Sequence, residues 1–168
     1  MVTFVRDWSR FTSRLGKRLV SRPIHAFAAA LTALCVLLGV ALRSRGNSTP
    51  LWLDEATWAV FLLENPITDQ LIRPIGFMAL SKWLADALSP SEAVLRLLPW
   101  TAGVLTALLS PLLARRMFVA PSARLLFVAA MCLHAVAIDF AKEFKPYSVS
   151  LFFHVGLLLV AFNYVTVR

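Results

Sequence analysis

Four long apolar runs, each bounded by charged residues, dominate the pattern of hydrophobic and polar positions. The runs at 24–42 and 148–167 contain no Asp, Glu, Lys or Arg, and those at 97–114 and 123–141 are of similar length. The run at 123–141 keeps one charged residue near each end. A helix of about 20 apolar residues crosses the hydrocarbon core of a membrane. The pattern therefore predicts an all-α, polytopic integral membrane protein with four transmembrane helices.

The segment between the first two runs, residues 43–96, mixes apolar and charged positions. Asp54 can cap a first short helix that runs to Asn65 and stops before Pro66. A second helix begins near Pro74, a position that proline tolerates. Its apolar stripe recurs every three or four residues and consists of Phe77, Leu80, Leu84 and Leu88. Because tryptophans lie nearby, we predict two amphipathic helices in the membrane interface.

Basic residues indicate how the four helices are oriented. Residues 1–23 hold six Arg or Lys against one acid, and the loop 115–122 begins with two arginines. The segment 43–96 carries most of the acids of the chain. Because loops rich in Arg and Lys remain in the cytoplasm, both termini are expected there, in the cell (plasma or inner) membrane. The loops 43–96 and 142–147 are expected on the outer face.

The amino-acid composition further restricts the class of protein. Of the 168 residues, 59% are hydrophobic and 15% are charged, whereas soluble domains have about 45–50% and 25%. This excess of apolar residues excludes a soluble domain, a disordered tail and a fibrous protein. The net charge is +8, and the basic residues that produce it cluster at the ends of the apolar runs. This distribution indicates anionic membrane lipids as the partner, and no nucleic acid.

Asp54 and Glu55 form the first candidate site. Adjacent carboxylates at a helix start have a structural use, since one caps the free N–H groups and the other complements the helix dipole. A carboxylate held at the membrane surface can also act as a general base toward a hydroxyl or amine. The residue pattern leaves both interpretations open.

The second candidate site is the loop 142–147 and the helix end before it. Asp139 and Glu143 are four positions apart and share a face if the helix continues. Lys142 and Lys145 place two cations within reach of the same loop. Cations beside carboxylates near lipid headgroups suit a phosphate-bearing ligand. The other interpretation is an ordinary charged turn that keeps a helical hairpin in water.

Histidines and cysteines offer weaker signals. His134 and His154 fall in the outer parts of their runs and could approach each other, but a metal site would need more ligands. Cys35 and Cys132 lie in separate apolar runs, which predicts no disulfide and no metal pair. The sequence contains no glycine-rich phosphate loop, HExxH or CxxC motif. We therefore predict neither a resident metal nor another cofactor.

Five short motifs, taken in chain order, resemble the GT-C superfamily of membrane glycosyltransferases. They are the Trp-x-Asp-Glu at 52–55, the Arg-Pro at 73–74, and the segments 91–99, 112–118 and 143–148. The set is similar to the branch of protein mannosyltransferases, lipid A aminoarabinose transferases and lipopolysaccharide core transferases. The best matches are Asp54-Glu55 and the Lys-Pro-Tyr at 145–147, where the family usually has Arg-Pro-Tyr or a near variant.

The resemblance implies transfer of a sugar from a polyprenyl-phosphate donor to a lipid, glycan or protein acceptor on the outer face. Asp54, with Glu55 beside it, would be the base on the acceptor, and Asp139 or Glu143 would be a further acid. Inversion at the sugar carbon is expected with one base and no covalent intermediate. The residues implied in holding the donor phosphate or supporting that loop are Lys142, Lys145, Arg73, Pro146 and Tyr147.

Members of the superfamily usually have many more spans than four. We therefore expect the N-terminal part of a longer enzyme, or a short relative whose partner supplies the missing C-terminal half. Two alternatives remain, namely an oligosaccharyl-type transferase of the same superfamily, which needs a divalent metal, and a non-catalytic membrane subunit or lipid-binding scaffold. A transporter is disfavoured because the charges near the spans lie at their ends, whereas coupling ions need polar groups at mid-depth.

Overall fold

The computed structural model describes residues 25–46, 49–66 and 74–167. Every secondary-structure element within these ranges is a helix, which confirms the all-α prediction. The elements are α1 (His25–Arg43), α2 (Leu53–Glu64), α3 (Ile75–Leu88), α4 (Glu92–Leu95), α5 (Leu97–Met117), α6 (Pro121–Leu133), α7 (Ala135–Lys142) and α8 (Tyr147–Val167). The predicted basic segment 1–23 and Arg73 lie outside the described residues.

Four helical segments are long and apolar enough to cross a membrane. They are His25–Arg43, Leu97–Met117, Pro121–Lys142 and Tyr147–Val165. They coincide with the four predicted spans, because apolar composition over about 20 residues is a local property of the sequence. The crossing itself and the side on which each loop lies stay predictions.

The third span is broken, where one continuous helix was predicted. His134 has an extended backbone (φ −63°, ψ 123°) between α6 and α7. A helix end leaves its last carbonyls without helical partners. Arg43 of α1 supplies donors to two of them, since its Nη1 lies 2.7 Å from the oxygen of Cys132 and its Nη2 lies 3.1 Å from that of Met131. The break in α6–α7 is therefore compensated by a side chain from α1.

Arg43 is the last residue of α1, in keeping with charges at the ends of the spans. Its side chain is fully buried, and its Nη1 also donates to the Gly39 carbonyl at 2.9 Å. The helices approach closely around it. A Cβ on Gly39 would lie 2.8 Å from the Cys132 carbonyl oxygen, and a Cβ on Gly103 would lie 2.5 Å from the Cβ of Ala141. Small residues permit such close helix packing in membranes.

The start of α2 differs from the prediction that Asp54 caps it. Trp52 is the N-cap residue, and Asp54 lies inside the first turn. Glu55 reaches back, and its Oε2 accepts the Trp52 N–H at 3.1 Å. Glu55 thus satisfies a backbone donor that a helix start leaves open. The end of α2 at Glu64 agrees with the stop expected before Pro66.

The predicted apolar stripe of α3 is only partly covered by the rest of the chain, and its position in the membrane interface stays a prediction. Phe77 is buried, whereas Leu80 and Leu88 are 44% and 55% exposed. The remaining buried residues of α3 are Met78, Ser81 and Ala85. This face packs with α2 and with Phe144 of the second loop, whose ring centroid lies 5.4 Å from that of Phe77. The loop between α7 and α8 is therefore part of the core formed by α2 and α3.

Candidate functional site

Glu55 connects the two predicted outer loops. Its carboxylate is 2% exposed and pairs with Arg96, with Oε2 2.7 Å from Nη2 and Oε1 3.1 Å from Nε. It also accepts the backbone N–H groups of Trp52 and Phe144. Burial acts to raise the pKa of Glu55, but the hydrogen bonds from Arg96, Phe144 and Trp52 outweigh it and hold the pKa below its usual range. Glu55 is therefore a buried, charged link between the loops.

Arg96, which directly precedes α5, completes this link. Its Nη1 donates to the Thr49 carbonyl at 2.6 Å, and its Nη2 contacts the Pro50 carbonyl at 3.3 Å. A guanidinium offers five donors in a fixed plane, so one side chain can hold the carboxylate of Glu55 and the chain that enters α2 together. Arg96 thus ties the first loop to the start of α5, where Leu98 also packs against the core of α2 and α3.

Asp54, adjacent to Glu55 in sequence, has a different environment. Its side chain is 70% exposed and forms an ion pair with Lys145, which is 12% exposed. Lys145 also lies over the ring of Trp58, with Nζ 5.8 Å from the ring centroid. The hydrogen bond to Asp54 raises the pKa of Lys145 above its usual value. The carboxylate predicted as a base and a cation predicted to bind phosphate are thus in direct contact.

A cleft lies beside this pair of links, and we call it the loop cleft. Its volume is about 340 Å³, within the range of small-molecule sites. Cations from both loops line it, together with carboxylates from α7 and the second loop and with small and aromatic residues from the first loop. Its lining consists of Arg45, Gly46, Thr49, Trp52, Arg96, Asp139, Lys142 and Glu143. Three of the predicted second-site residues, Asp139, Lys142 and Glu143, are therefore brought together.

Glu143 is the titratable group of the loop cleft whose pKa is raised. Burial raises it most, the charges of Glu55, Asp139 and Asp54 add to the effect, and Lys145 opposes it. A carboxyl group in a cleft with a raised pKa is a candidate proton donor or acceptor.

Other predicted residues lie elsewhere. Tyr147 stacks on Phe140, with centroids 4.5 Å apart, and lines a separate cavity of about 430 Å³ between α7 and α8. His134 and His154 line that same cavity, as their positions suggested. Pro146 directly precedes α8, and its carbonyl accepts the Ser150 N–H at 2.8 Å. Within the described ranges, no three His, Cys, Asp or Glu residues are close enough to hold a metal ion.

Sequence reasoning missed Arg45, Arg96 and Phe144 as parts of this site. Arg96 carried a usable signal, because it is a single cation between the apolar residues of α4 and those of α5. A lone arginine in such a position needs a partner if it is buried. Phe144 gave no such signal, since an aromatic residue in a short loop has no characteristic spacing.

Comparisons of the chain with protein-family models, with curated proteins and with solved structures found no match. The resemblance to the GT-C superfamily therefore stays a prediction. What the structure adds is that the two loops meet through Glu55–Arg96 and Asp54–Lys145, next to a cleft of mixed charge.

Proposed function

We propose that this chain is the N-terminal part of an inverting membrane glycosyltransferase that uses a polyprenyl-phosphate sugar as donor. One observation carries the proposal, which is the meeting of the two motif-bearing loops at the loop cleft. Cations and acids in one cleft suit a phosphate ester that must be held while a proton is moved. The acceptor would be a lipid, glycan or protein on the outer face of the cell membrane.

For the donor phosphate, the proposal relies on the cations that line the loop cleft. Lys142 lines it from the second loop and Arg45 from the first, and Arg96 also belongs to its lining. Lys145 is already paired with Asp54, so binding phosphate would require that pair to open. We therefore assign the first donor contact to Lys142 and Arg45, and keep Lys145 as the partner that orients Asp54.

For the base, the proposal retains Asp54 because it is the exposed member of the acidic pair. In the reaction, its carboxylate removes the acceptor proton while the acceptor oxygen attacks the anomeric carbon. The bond from that carbon to the donor phosphate breaks, and its electron pair leaves with the phosphate. Glu55 has both oxygens engaged, so it serves as a positioning residue. Glu143 is proposed as the further acid that the second loop supplies, because it lines the loop cleft and its pKa is raised.

The test is Asp54→Asn in the full-length protein, compared with Asp86→Asn, an exposed aspartate of α3 that does not line the loop cleft. Transfer from a panel of radiolabelled polyprenyl-phosphate sugars should fall by about 10²–10⁴-fold in Asp54→Asn, the usual contribution of a general base. Asp86→Asn should keep the rate, and both should remain in the membrane fraction. Retention of more than about a tenth of the rate would remove Asp54 as the base. Glu143→Gln would then be tested as its replacement.

A scaffold without turnover is the second candidate, and the ion pairs favour it. Asp54 and Glu55 both have cationic partners within the chain, so the site is electrostatically satisfied without a ligand. A scaffold predicts that Asp54→Asn leaves the function of its complex unchanged. The oligosaccharyl-type alternative predicts that a chelator abolishes transfer and that a divalent cation restores it.

Membrane topology is tested separately. Ser91 and Ser122 are exposed and lie just outside opposite ends of α5. A membrane-impermeant thiol reagent applied to cells should label a cysteine at Ser91 and spare one at Ser122, in a background without Cys35 and Cys132. Labelling in the reverse pattern would place the loop cleft in the cytoplasm and contradict the proposed site of transfer.

A further inference from the structure

A third cavity lies between α1, α5 and α6, at the end of α5 away from the loop cleft. Its volume is about 570 Å³, and we call it the basic groove. On α1 its wall is formed by side chains that recur every three or four residues and are mostly small, namely Ala28, Ala29, Thr32, Ala33 and Val36. Pro111 and Ala114 of α5 and Val128 of α6 form the opposite wall. The walls are therefore apolar, and the side chains on the α1 wall are short.

The groove exists because α1 is held tightly at its other end. Gly39 and Arg43 are the buried positions of α1, whereas residues 25–34 are exposed or half-buried. Arg43 binds the carbonyls at the end of α6, and Gly39 allows contact with Cys132. Small side chains on the remaining part of α1 leave space that no side chain of the described residues fills.

The groove has a cationic mouth. Arg115 of α5 and Arg124 of α6 line it, together with His25 of α1. No carboxylate belongs to this lining, and the chain between Glu92 and Asp139 contains no acidic residue. An apolar groove that ends at two arginines is complementary to a molecule with a hydrocarbon tail and an anionic head.

We propose that the basic groove binds an anionic glycerophospholipid from the leaflet in which the α5–α6 loop lies. One acyl chain packs along the small-residue face of α1, and the headgroup phosphate contacts Arg115 and Arg124. A guanidinium and a phosphate form paired, charge-assisted hydrogen bonds. The proposal rests on insertion of the four spans in a membrane and is independent of the sugar transfer at the loop cleft.

The charge of the mouth is tested by native mass spectrometry of the full chain, purified in detergent and titrated with phosphatidylglycerol or phosphatidylcholine of identical acyl chains. Each arginine near a headgroup favours anionic lipid by about fivefold. The double variant Arg115→Gln, Arg124→Gln should therefore lose roughly 25-fold in phosphatidylglycerol affinity, and it should lose less in phosphatidylcholine affinity, because the choline cation already opposes the two arginines. Arg116→Gln is the matched control, because Arg116 is adjacent to Arg115 and does not line the groove. An equal loss in Arg116→Gln, or none in the double variant, would overturn the proposal.

Arg124 also donates from Nε to the Phe118 carbonyl at 2.7 Å, so its replacement can disturb the α5–α6 loop. Arg115→Gln alone keeps that bond and should still lose about fivefold in phosphatidylglycerol affinity. The acyl-chain site is tested by Ala33→Trp, which fills the groove from α1 and should reduce the binding of both lipids. Unchanged binding in Ala33→Trp would place the lipid elsewhere. Asp54→Asn should leave lipid binding unaltered, so the failure of one proposal is distinguishable from that of the other.

Discussion

The two ends of α5 use charged side chains in opposite ways. At the end that begins with Leu97, Arg96 and Glu55 are buried and hold each other, together with backbone groups of both loops. At the end near Met117, Arg115 lines the open basic groove. A buried charge must be compensated within the protein because water no longer solvates it. A charge at an open groove keeps its capacity for an external partner, so the first end builds the fold and the second offers a binding surface.

Asp54 and Glu55 repeat this contrast within one turn of α2. Glu55 points into the core and is 2% exposed, while Asp54 points outward and is 70% exposed. Adjacent helical positions do not face the same side, so one carboxylate stabilises the junction of the loops and the other remains accessible to a substrate. The predicted pair of catalytic acids thus separates into a positioning residue and a candidate base.

The largest expected effect comes from breaking the buried pair. Glu55→Ala leaves Arg96 buried without a counter-charge, so the free energy of unfolding should fall by about 3–5 kcal/mol. Asp54→Ala removes an ion pair whose carboxylate is 70% exposed and therefore screened by solvent, and its cost should be about 0–1 kcal/mol. Equilibrium unfolding in mixed micelles measures both. Similar values for the two variants would mean that the adjacent acids do not differ as described.

A smaller effect is expected from the close helix contacts that hold the loop end of the bundle together. Gly103→Ala would place a Cβ 2.5 Å from that of Ala141, and such overpacking costs about 1–3 kcal/mol. Gly156→Ala is the matched control in α8, where nothing lies within 4 Å. Alanine there should be neutral or stabilise the helix by up to about 1 kcal/mol. Thermal unfolding followed by circular dichroism would contradict this contrast if both variants shifted the midpoint in the same direction.

The smallest expected effect is a dependence of stability on pH. The pKa of Glu143 is raised by burial and neighbouring carboxylates, so the folded chain holds this proton more tightly than the unfolded chain. Stability should therefore fall as the pH rises from about 4.3, the usual glutamate value, through the raised pKa. Glu143→Gln should abolish that decline.

The pKa shift of Glu55 is opposite in direction to that of Glu143, so Glu55 provides the internal control. Its pKa is lowered, so its contribution is present above the usual glutamate value and is lost as the pH falls through the lowered pKa. That acid-side loss should persist in Glu143→Gln. A pH profile of unfolding that is identical in the wild type and Glu143→Gln would show that Glu143 does not titrate differently on folding.

The helical class and the four long apolar helices could be predicted from the sequence, because each depends on the composition of one continuous run. The contacts of the candidate site could not be predicted in the same way. Asp54 and Glu55 look equivalent as residue types, and Lys142 and Lys145 do too. Their different environments arise from groups 41 to 91 positions away in the chain.

The sequence by itself determined which segments are apolar enough to cross a membrane and which charges flank them, since both are local properties. Tertiary structure alone decided that Glu55 is buried against Arg96, that Asp54 meets Lys145, and that α6 and α7 are separate helices. The break at His134 involves neither proline nor glycine and is compensated by Arg43 from another helix. The physical reason is that hydrogen bonds and ion pairs between distant segments form only after the helices pack, so no short window of sequence contains them.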